Sequence, residues 1–336
     1  MAQKQVDRVL FSTEAERLDA LSAAGICNVA VVGGSGRLGA YLVRHLLRGR
    51  CKVHVLDSQP PDALPGVRFT ACDLGCHGGF PADALRSSDA VVHLAGLHGA
   101  HLADGVSRRQ FWRVNVQGTE RVLEAAGRAG VRRVVIASST SVYGSGSPRG
   151  QLARVLSEST ELNPEDIYDL TKVAAERLLE EATDEKTGMI LRFGRFFFPS
   201  HADYHLRKLS TGLDVRDACQ AMIRALTAAD PPRRAYCIAS DLPLSVSDRQ
   251  RLGVEARQVL DEALPGFGEV IRRRGMSLPD RVGKSVDTAL ARAELGYRPE
   301  RALDWVATVW ATGNPSTPAR PRFRHLLLAD RTLQRG

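Results

Sequence analysis

Lysine is scarce in this 336-residue chain: of its 46 basic residues six are Lys and 40 are Arg. The formal net charge of +8 therefore reads as the arginine bias of a GC-rich genome. No basic run exceeds Arg272-Arg273-Arg274, and a phosphate-tracking surface needs a clustered patch with aromatics for stacking. Nucleic acid is excluded as the expected partner. Long hydrophobic runs are missing too. No stretch approaches the roughly 18 to 20 apolar residues that cross a bilayer, so no membrane association is expected. The first residues, MAQKQVDRVLFSTEAERLDAL, lack the apolar core of a secretory signal, and the expected location is cytoplasmic. The six cysteines, Cys27, Cys51, Cys72, Cys76, Cys219 and Cys237, lack paired metal-site spacing. Cys72-x-x-x-Cys76-His77 has no second pair to complete a zinc shell, so the expectation is free thiols and no metal. There is no internal repeat.

What is present is a rhythm of short β-branched runs alternating with helical stretches. Strands are expected at 29–33, 52–57, 67–74, 90–96, 132–139, 188–194 and 234–240. Helices are expected at 38–47, 106–128 and 170–181. Continuous apolar strands between amphipathic helices imply a parallel sheet covered on both faces. The fold class is α/β, a doubly wound Rossmann sheet with a small C-terminal substrate lobe. Residues 1–25 read as a helical extension, with Val6, Val9, Leu10, Leu18 and Leu21 as its apolar positions. Residues 26–195 and 213–240 are assigned to the dinucleotide domain, and 196–212 and 241–312 to the lobe. The lobe is expected to hold a capped helix in SVSDRQRLGVEARQVLDEAL and a short one ending at Gly296. A Pro/Arg-rich tail fills 313–336.

The first strand runs into Gly33-Gly34-Ser35-Gly36-Arg37-Leu38-Gly39 and then a helix. In that context glycines let the turn close and let backbone amides approach a pyrophosphate at the helix N-terminus. Gly33, Ser35, Gly36, Arg37, Leu38 and Gly39 are thus candidate cofactor residues. Asp57 ends the next strand, 18 residues beyond Gly39, where a carboxylate accepts ribose hydroxyls and repels a 2′-phosphate. That favours NAD, against a milder opposite signal from Arg37. Asp73 and Leu74 end the third strand and offer a seat for the adenine edge. Leu94, Ala95 and Gly96 would pass under the cofactor, whereas His93 reads better as a satisfied core histidine.

Tyr168 and Lys172 are four residues apart and share one helical face. A nearby ammonium favours phenolate, so the tyrosine can exchange a proton with a substrate hydroxyl or carbonyl. The run Ser138-Ser139-Thr140-Ser141-Val142-Tyr143-Gly144 follows the fifth strand and brings hydroxyls to the carboxyl edge of the sheet, where ligands bind in such folds.

In this order, GGSGRLG, Asp57, DL at 73–74, HLAG at 93–96, NVQGT at 115–119, SSTSVYG, YDLTK, LRFG at 191–194, DVRDACQAMIRAL at 214–226 and ELGYRP at 294–299 resemble the extended short-chain dehydrogenases/reductases. That family includes the NAD-dependent epimerases and dehydratases. The resemblance implies that Ser139 orients the reacting oxygen, Tyr168 is the acid/base and Lys172 holds the nicotinamide ribose. Asn115 is similar to the family's asparagine behind the active site, and Phe193 of LRFG falls beside the cofactor. A homodimer is the implied assembly.

Departures narrow the chemistry. The family's 4,6-dehydratases carry Asp-Glu where this chain has Thr140 and Ser141, which argues against dehydration. The nucleotide-sugar decarboxylases carry Glu at the place of Ser141. The loop between LRFG and DVRD is short, similar to that of uronate dehydrogenases, and on that likeness Arg207, Ser210, Ser139 and Thr140 would meet a small-molecule substrate. Arg207 reads equally well as a solvated surface residue. The uronate enzymes also have Asn-His after the catalytic serine, so the match is to loop architecture alone. The expected function is an NAD-dependent epimerase of a sugar or sugar nucleotide. The alternatives are a one-way dehydrogenase or ketoreductase on a sugar acid, and a catalytically silent NAD-binding regulator.

Overall fold

The computed structural model describes residues 19–301 apart from 63, 77–79, 185–186, 197–205, 230, 232–233 and 274. The expected N-terminal extension up to residue 18, His77, most of the short loop and the tail lie outside the described residues.

The chain alternates as its hydrophobic pattern requires. Strand β1 (Asn28–Val32) leads to helix α1 (Arg37–Arg48), then β2 (Lys52–Asp57), β3 (Val67–Ala71) and β4 (Ala90–His93). Helix α2 (Arg108–Trp112) passes through a π-helical turn (Arg113–Gln117) into α3 (Gly118–Ala129) and β5 (Arg133–Ser139). After the short strand β6 (Arg154–Leu156) come α4 (Ile167–Ala182), β7 (Gly188–Phe193), α5 (Val215–Thr227) and β8 (Ala235–Ile238). The last described elements are α6 (Val246–Ala263), α7 (Phe267–Arg273), β9 (Lys284–Val286) and α8 (Ala289–Glu294).

Among the described residues the main sheet has seven strands in the order β3-β2-β1-β4-β5-β7-β8, all paired in parallel. The order reverses between β1 and β4, so the carboxyl ends of these strands form the crevice where ligands bind in doubly wound sheets. Two buried clusters cover the sheet. One joins Leu38, Leu42 and Leu46 of α1 to Ala218, Met222 and Leu226 of α5, and the other joins Val122 and Leu123 of α3 to Leu179 of α4. Each fully buried leucine contributes about 1.5–3 kcal/mol.

Two details depart from the sequence reading. The expected single helix 106–128 is interrupted by the π turn. Thr119 Oγ1 donates to the Asn115 carbonyl at 2.6 Å, and such back-bonding diverts a helical acceptor. Strand β6, which lies within the segment assigned to the dinucleotide domain, pairs with β9 in a separate two-stranded sheet. Beside that sheet a third cluster, including Leu252, Val259, Leu260, Phe267 and Ile271, forms a core around α6 and α7. Ser245 caps α6 by accepting the Asp248 amide, and Gly296, at φ 65°, follows α8 in the left-handed conformation.

Candidate active site

The half of the crevice built by β1, α1 and β2 relies on backbone. Gly33 has φ 86°, and a Cβ there would lie 2.4 Å from the Ala95 amide nitrogen. The turn after β1 therefore touches the loop after β4 with no room for a side chain. A Cβ on Gly39 would lie 2.4 Å from the Gly33 carbonyl oxygen, so α1 also rests directly on the turn. Gly36 is the N-cap of α1, with no side-chain cap and no acid in the first turn. The positive end of the helix suits an anion. Asp57 Oδ2 accepts the Ser35 amide at 2.9 Å, and its Oδ1 accepts the Gln59 amide at 3.1 Å. Ser35 Oγ donates to the Gln59 carbonyl at 2.6 Å. The carboxylate thus stands beside the glycine turn, at the mouth of the crevice.

Asp73 and Leu74 are placed differently. Asp73 accepts the Gly75 amide at 2.7 Å and the Cys76 thiol at 3.0 Å, and these donors hold its carboxyl below the usual range. Its carboxylate serves its own turn, while Leu74 is buried against Gly118. Ala95 and Leu94 both donate to the Val32 carbonyl, which pins the floor of the crevice. His93 is a buried core histidine, with Nε2 2.9 Å from Thr119 Oγ1. Burial and the Lys172 charge push it down to about 3.

The other half is built from side chains. Tyr168 lies in the first turn of α4, which Asp166 caps by accepting the Asp169 amide. Ser139 is the last residue of β5. Ser139 Oγ accepts the Ser141 amide at 3.1 Å. Burial pushes the Tyr168 phenol up to about 12, against the lowering effect of Ser139. Lys172 Nζ donates to the Ala137 carbonyl at 2.8 Å and lies 5.9 Å from the centre of the Tyr168 ring. Burial lowers Lys172 to about 8, opposed by Glu176. The ammonium therefore does not bring the phenol to neutrality by itself in this geometry.

Buried Asn115 sits within the π turn. Its Oδ1 accepts the Leu97 amide at 2.7 Å, and its Nδ2 donates to the Leu97 carbonyl at 3.0 Å and to Thr171 Oγ1 at 2.9 Å. It ties the loop after β4 to α4 from behind. A Cβ on Gly96 would meet Asn115 Oδ1 at 3.0 Å and Lys172 Nζ at 3.5 Å, so backbone at this point runs alongside the lysine. Phe193 ends β7 opposite Ser139, its ring packed in the core. Thr140 is buried beside Ser139.

The two loop residues are not drawn to the same place. Arg207 is exposed on a short 3-10 turn. Ser210 Oγ donates to the Lys284 carbonyl at 2.7 Å, tying the loop to β9. Sequence reading missed a buried network behind Tyr168 and Lys172, formed by Glu176, Arg192, Ser138 and Tyr143. The available signal was an acid four residues beyond Lys172, on the same helical face.

The model of the NAD dependent epimerase/dehydratase family matches residues 29–239, more than half of the chain. The chain belongs to this family. It is an enzyme of an NAD-dependent family, and the glycine turn, the open end of α1 and Asp57 fit that cofactor. Human sterol-4-alpha-carboxylate 3-dehydrogenase, decarboxylating, is 32% identical over 160 residues, covering 48% of this chain and 41% of the human protein. Rice UDP-glucose 4-epimerase 3 is 31% identical over 186 residues, covering 49% and 48%. The family member thus spans less than half the length of these curated relatives. The solved structure of MoeE5 in complex with UDP-glucuronic acid and NAD superposes with a TM-score of 0.61 at 25% identity, covering 85% of this chain and 99% of that one. No described helix is long and apolar enough to cross a membrane.

Proposed function

We propose that this family member is an epimerase of a sugar or sugar nucleotide, with Ser139, Tyr168 and Lys172 as its catalytic set. NAD, when bound, would supply a reversible hydride acceptor for a substrate carbinol carbon. Tyr168, as phenolate, takes the proton of the hydroxyl being oxidised and gives it back on reduction. Ser139 donates to the same substrate oxygen and aligns it. Lys172 reaches the nicotinamide ribose and favours phenolate by its charge.

One observation carries the epimerase reading: the lobe is fastened to the catalytic turn. Lys284 Nζ donates to the Gly144 carbonyl at 2.6 Å, the Ser147 amide donates to the Gly283 carbonyl at 2.9 Å, and Arg154 Nη1 donates to the Tyr143 carbonyl at 3.0 Å. A lobe anchored five residues beyond Ser139 supports a covered site, which would retain a ketone until it is reduced again. MoeE5, with its nucleotide-sugar ligand, shares this fold over nearly its whole length. Incubation of UDP-glucose, UDP-glucuronic acid and the free sugar acids with catalytic NAD should give a stereoisomer with no net NADH.

A one-way dehydrogenase is the second reading, favoured by the similarity to the human sterol dehydrogenase. Stoichiometric growth of absorbance at 340 nm with no epimer formed would establish it and overturn the first. A catalytically silent regulator would show neither.

A further inference from the structure

Behind the catalytic set, α4, β5 and β7 meet through charged groups rather than hydrocarbon. The Glu176 carboxylate accepts Arg192 Nε at 3.1 and 3.2 Å and Arg192 Nη2 at 2.7 Å. It also accepts the Ser138 hydroxyl. Arg192 Nη1 donates to the Tyr143 hydroxyl at 2.8 Å, which lies 3.1 Å from Cys237 Sγ on β8. Glu176 is 2% exposed and Arg192 6%.

A buried ion pair of this kind is weak evidence for stability, because desolvation offsets most of the attraction. Its place in the fold says more. Glu176 follows Lys172 by one helical turn. Its partner Ser138 sits between Ala137, whose carbonyl receives Lys172 Nζ, and Ser139. Its partner Arg192 precedes Phe193. One carboxylate therefore ties together the three elements that present Lys172, Ser139 and the floor of the crevice.

The groups around Lys172 add the electrostatic half. Besides the Ala137 carbonyl, it is faced by Tyr168 on its own helix, by His93 of β4 and by His98 of the following loop. Both histidines are held neutral, His93 near 3 and His98 near 4. Neither supplies negative charge. Among the ionisable groups acting on Lys172, Glu176 is the one whose charge favours the ammonium.

We propose that Glu176 is a positioning residue of the active site: its buried carboxylate, clamped by Arg192 and Ser138, keeps Lys172 charged and holds α4 in register with β5 and β7. This rests on the reading of Lys172 as the cation of the catalytic set. Without that charge the lysine would release its proton closer to neutrality, and it would lose both its hold on ribose and its pull on phenolate.

The test does not require a substrate. With six lysines in the chain, protein carrying lysine labelled with 13C at Cε gives few resonances, and Lys172→Arg identifies the one that matters. The wild-type Lys172 signal should titrate near pH 8. In Glu176→Gln the midpoint should fall by roughly one pH unit, the scale of losing a nearby opposite charge. In Glu176→Asp, which keeps the charge, it should stay close to wild type. Should Glu176→Gln fail to fold, Glu176→Gln combined with Arg192→Met avoids a lone buried ion and should still lower the midpoint, by less than the single variant because the opposing Arg192 charge is removed as well. An unchanged midpoint in the folded neutral variants would overturn the proposal. The catalytic reading is scored separately: if Tyr168→Phe retains activity, that reading fails whatever the titration shows.

Discussion

The two halves of the crevice reach the same precision by opposite means. Around β1, α1 and β2, the contacts are backbone against backbone: Gly33 against Ala95 and Gly39 against Gly33, each at distances that exclude a single carbon. Asp57 there is only partly buried and works from the edge. Around β5, α4 and β7, the contacts are between side chains, and several are ionisable: half-buried Tyr168 and Lys172, and buried Glu176 and Arg192. The first design suits a site that grips a constant diphosphate, since amides and a helix end need no protonation state to do so. The second suits a site that must move a proton, where low dielectric makes each charge count for more. Substitutions should therefore fail by sterics in the first half and by electrostatics in the second.

The largest effect is expected for Gly39→Ala. Its new methyl would overlap the Gly33 carbonyl and Gly34 Cα, neither of which is a flexible chain end. We expect a stability loss of about 1–3 kcal/mol and no measurable NAD binding. Denaturant melts and calorimetric titration with NAD would show both, and normal NAD affinity would contradict the steric account.

Lys172→Met comes next, and it separates binding from stability. NAD affinity should fall roughly tenfold or more, the scale of a lost charge-assisted hydrogen bond. Thermal stability should respond in a pH-dependent way. A lysine lowered to about 8 in the folded state sheds its proton before the unfolded chain does near 10.4. Between those values the unfolded state binds more protons, so this group makes wild-type stability rise with pH. Lys208, also lowered to about 8 by burial, is common to both proteins and cancels in the comparison. The Tm of Lys172→Met minus that of wild type should therefore decrease from pH 7 to pH 10. A constant difference would mean that Lys172 carries no burial cost.

The smallest effect belongs to Asp57→Ala, at the exposed edge of the backbone half. Wild-type protein should bind NAD more tightly than NADP, and the substitution should narrow that gap by roughly tenfold or less, as suits a solvent-screened charge. Equal or tighter NADP binding by the unmodified protein would make Arg37 the deciding residue.

The same contrast explains what could be read from the sequence. The glycine turn, Asp57 and the seven strands were legible because their signals are local: a run of β-branched residues, a spacing of three, a strand ending in an acid. Tyr168 and Lys172 were legible for the same reason, four residues apart on one helix. The pairing of Glu176 with Arg192 and Ser138 spans 16 and 38 residues, and its local signal, a place four residues beyond Lys172, does not name those partners. Asp73 shows the converse. Its position at a strand end matches a cofactor contact, and its oxygens also accept the Gly75 amide and the Cys76 thiol of its own turn, which no local pattern announces. The split of helix 106–128 escaped because a single π turn inside a helix has no residue signature of its own. Strand β6 is three residues long, too short for alternation to show.

Tyr168→Phe tests the central claim most directly, since it removes one oxygen from the charged half and leaves the backbone half untouched. On any sugar that the wild type converts, turnover should drop by roughly 10²-fold or more, the scale of lost acid/base catalysis. Melting temperature and NAD affinity should stay close to wild type. Turnover within a few fold of wild type in a folded, NAD-binding Tyr168→Phe protein would contradict the account.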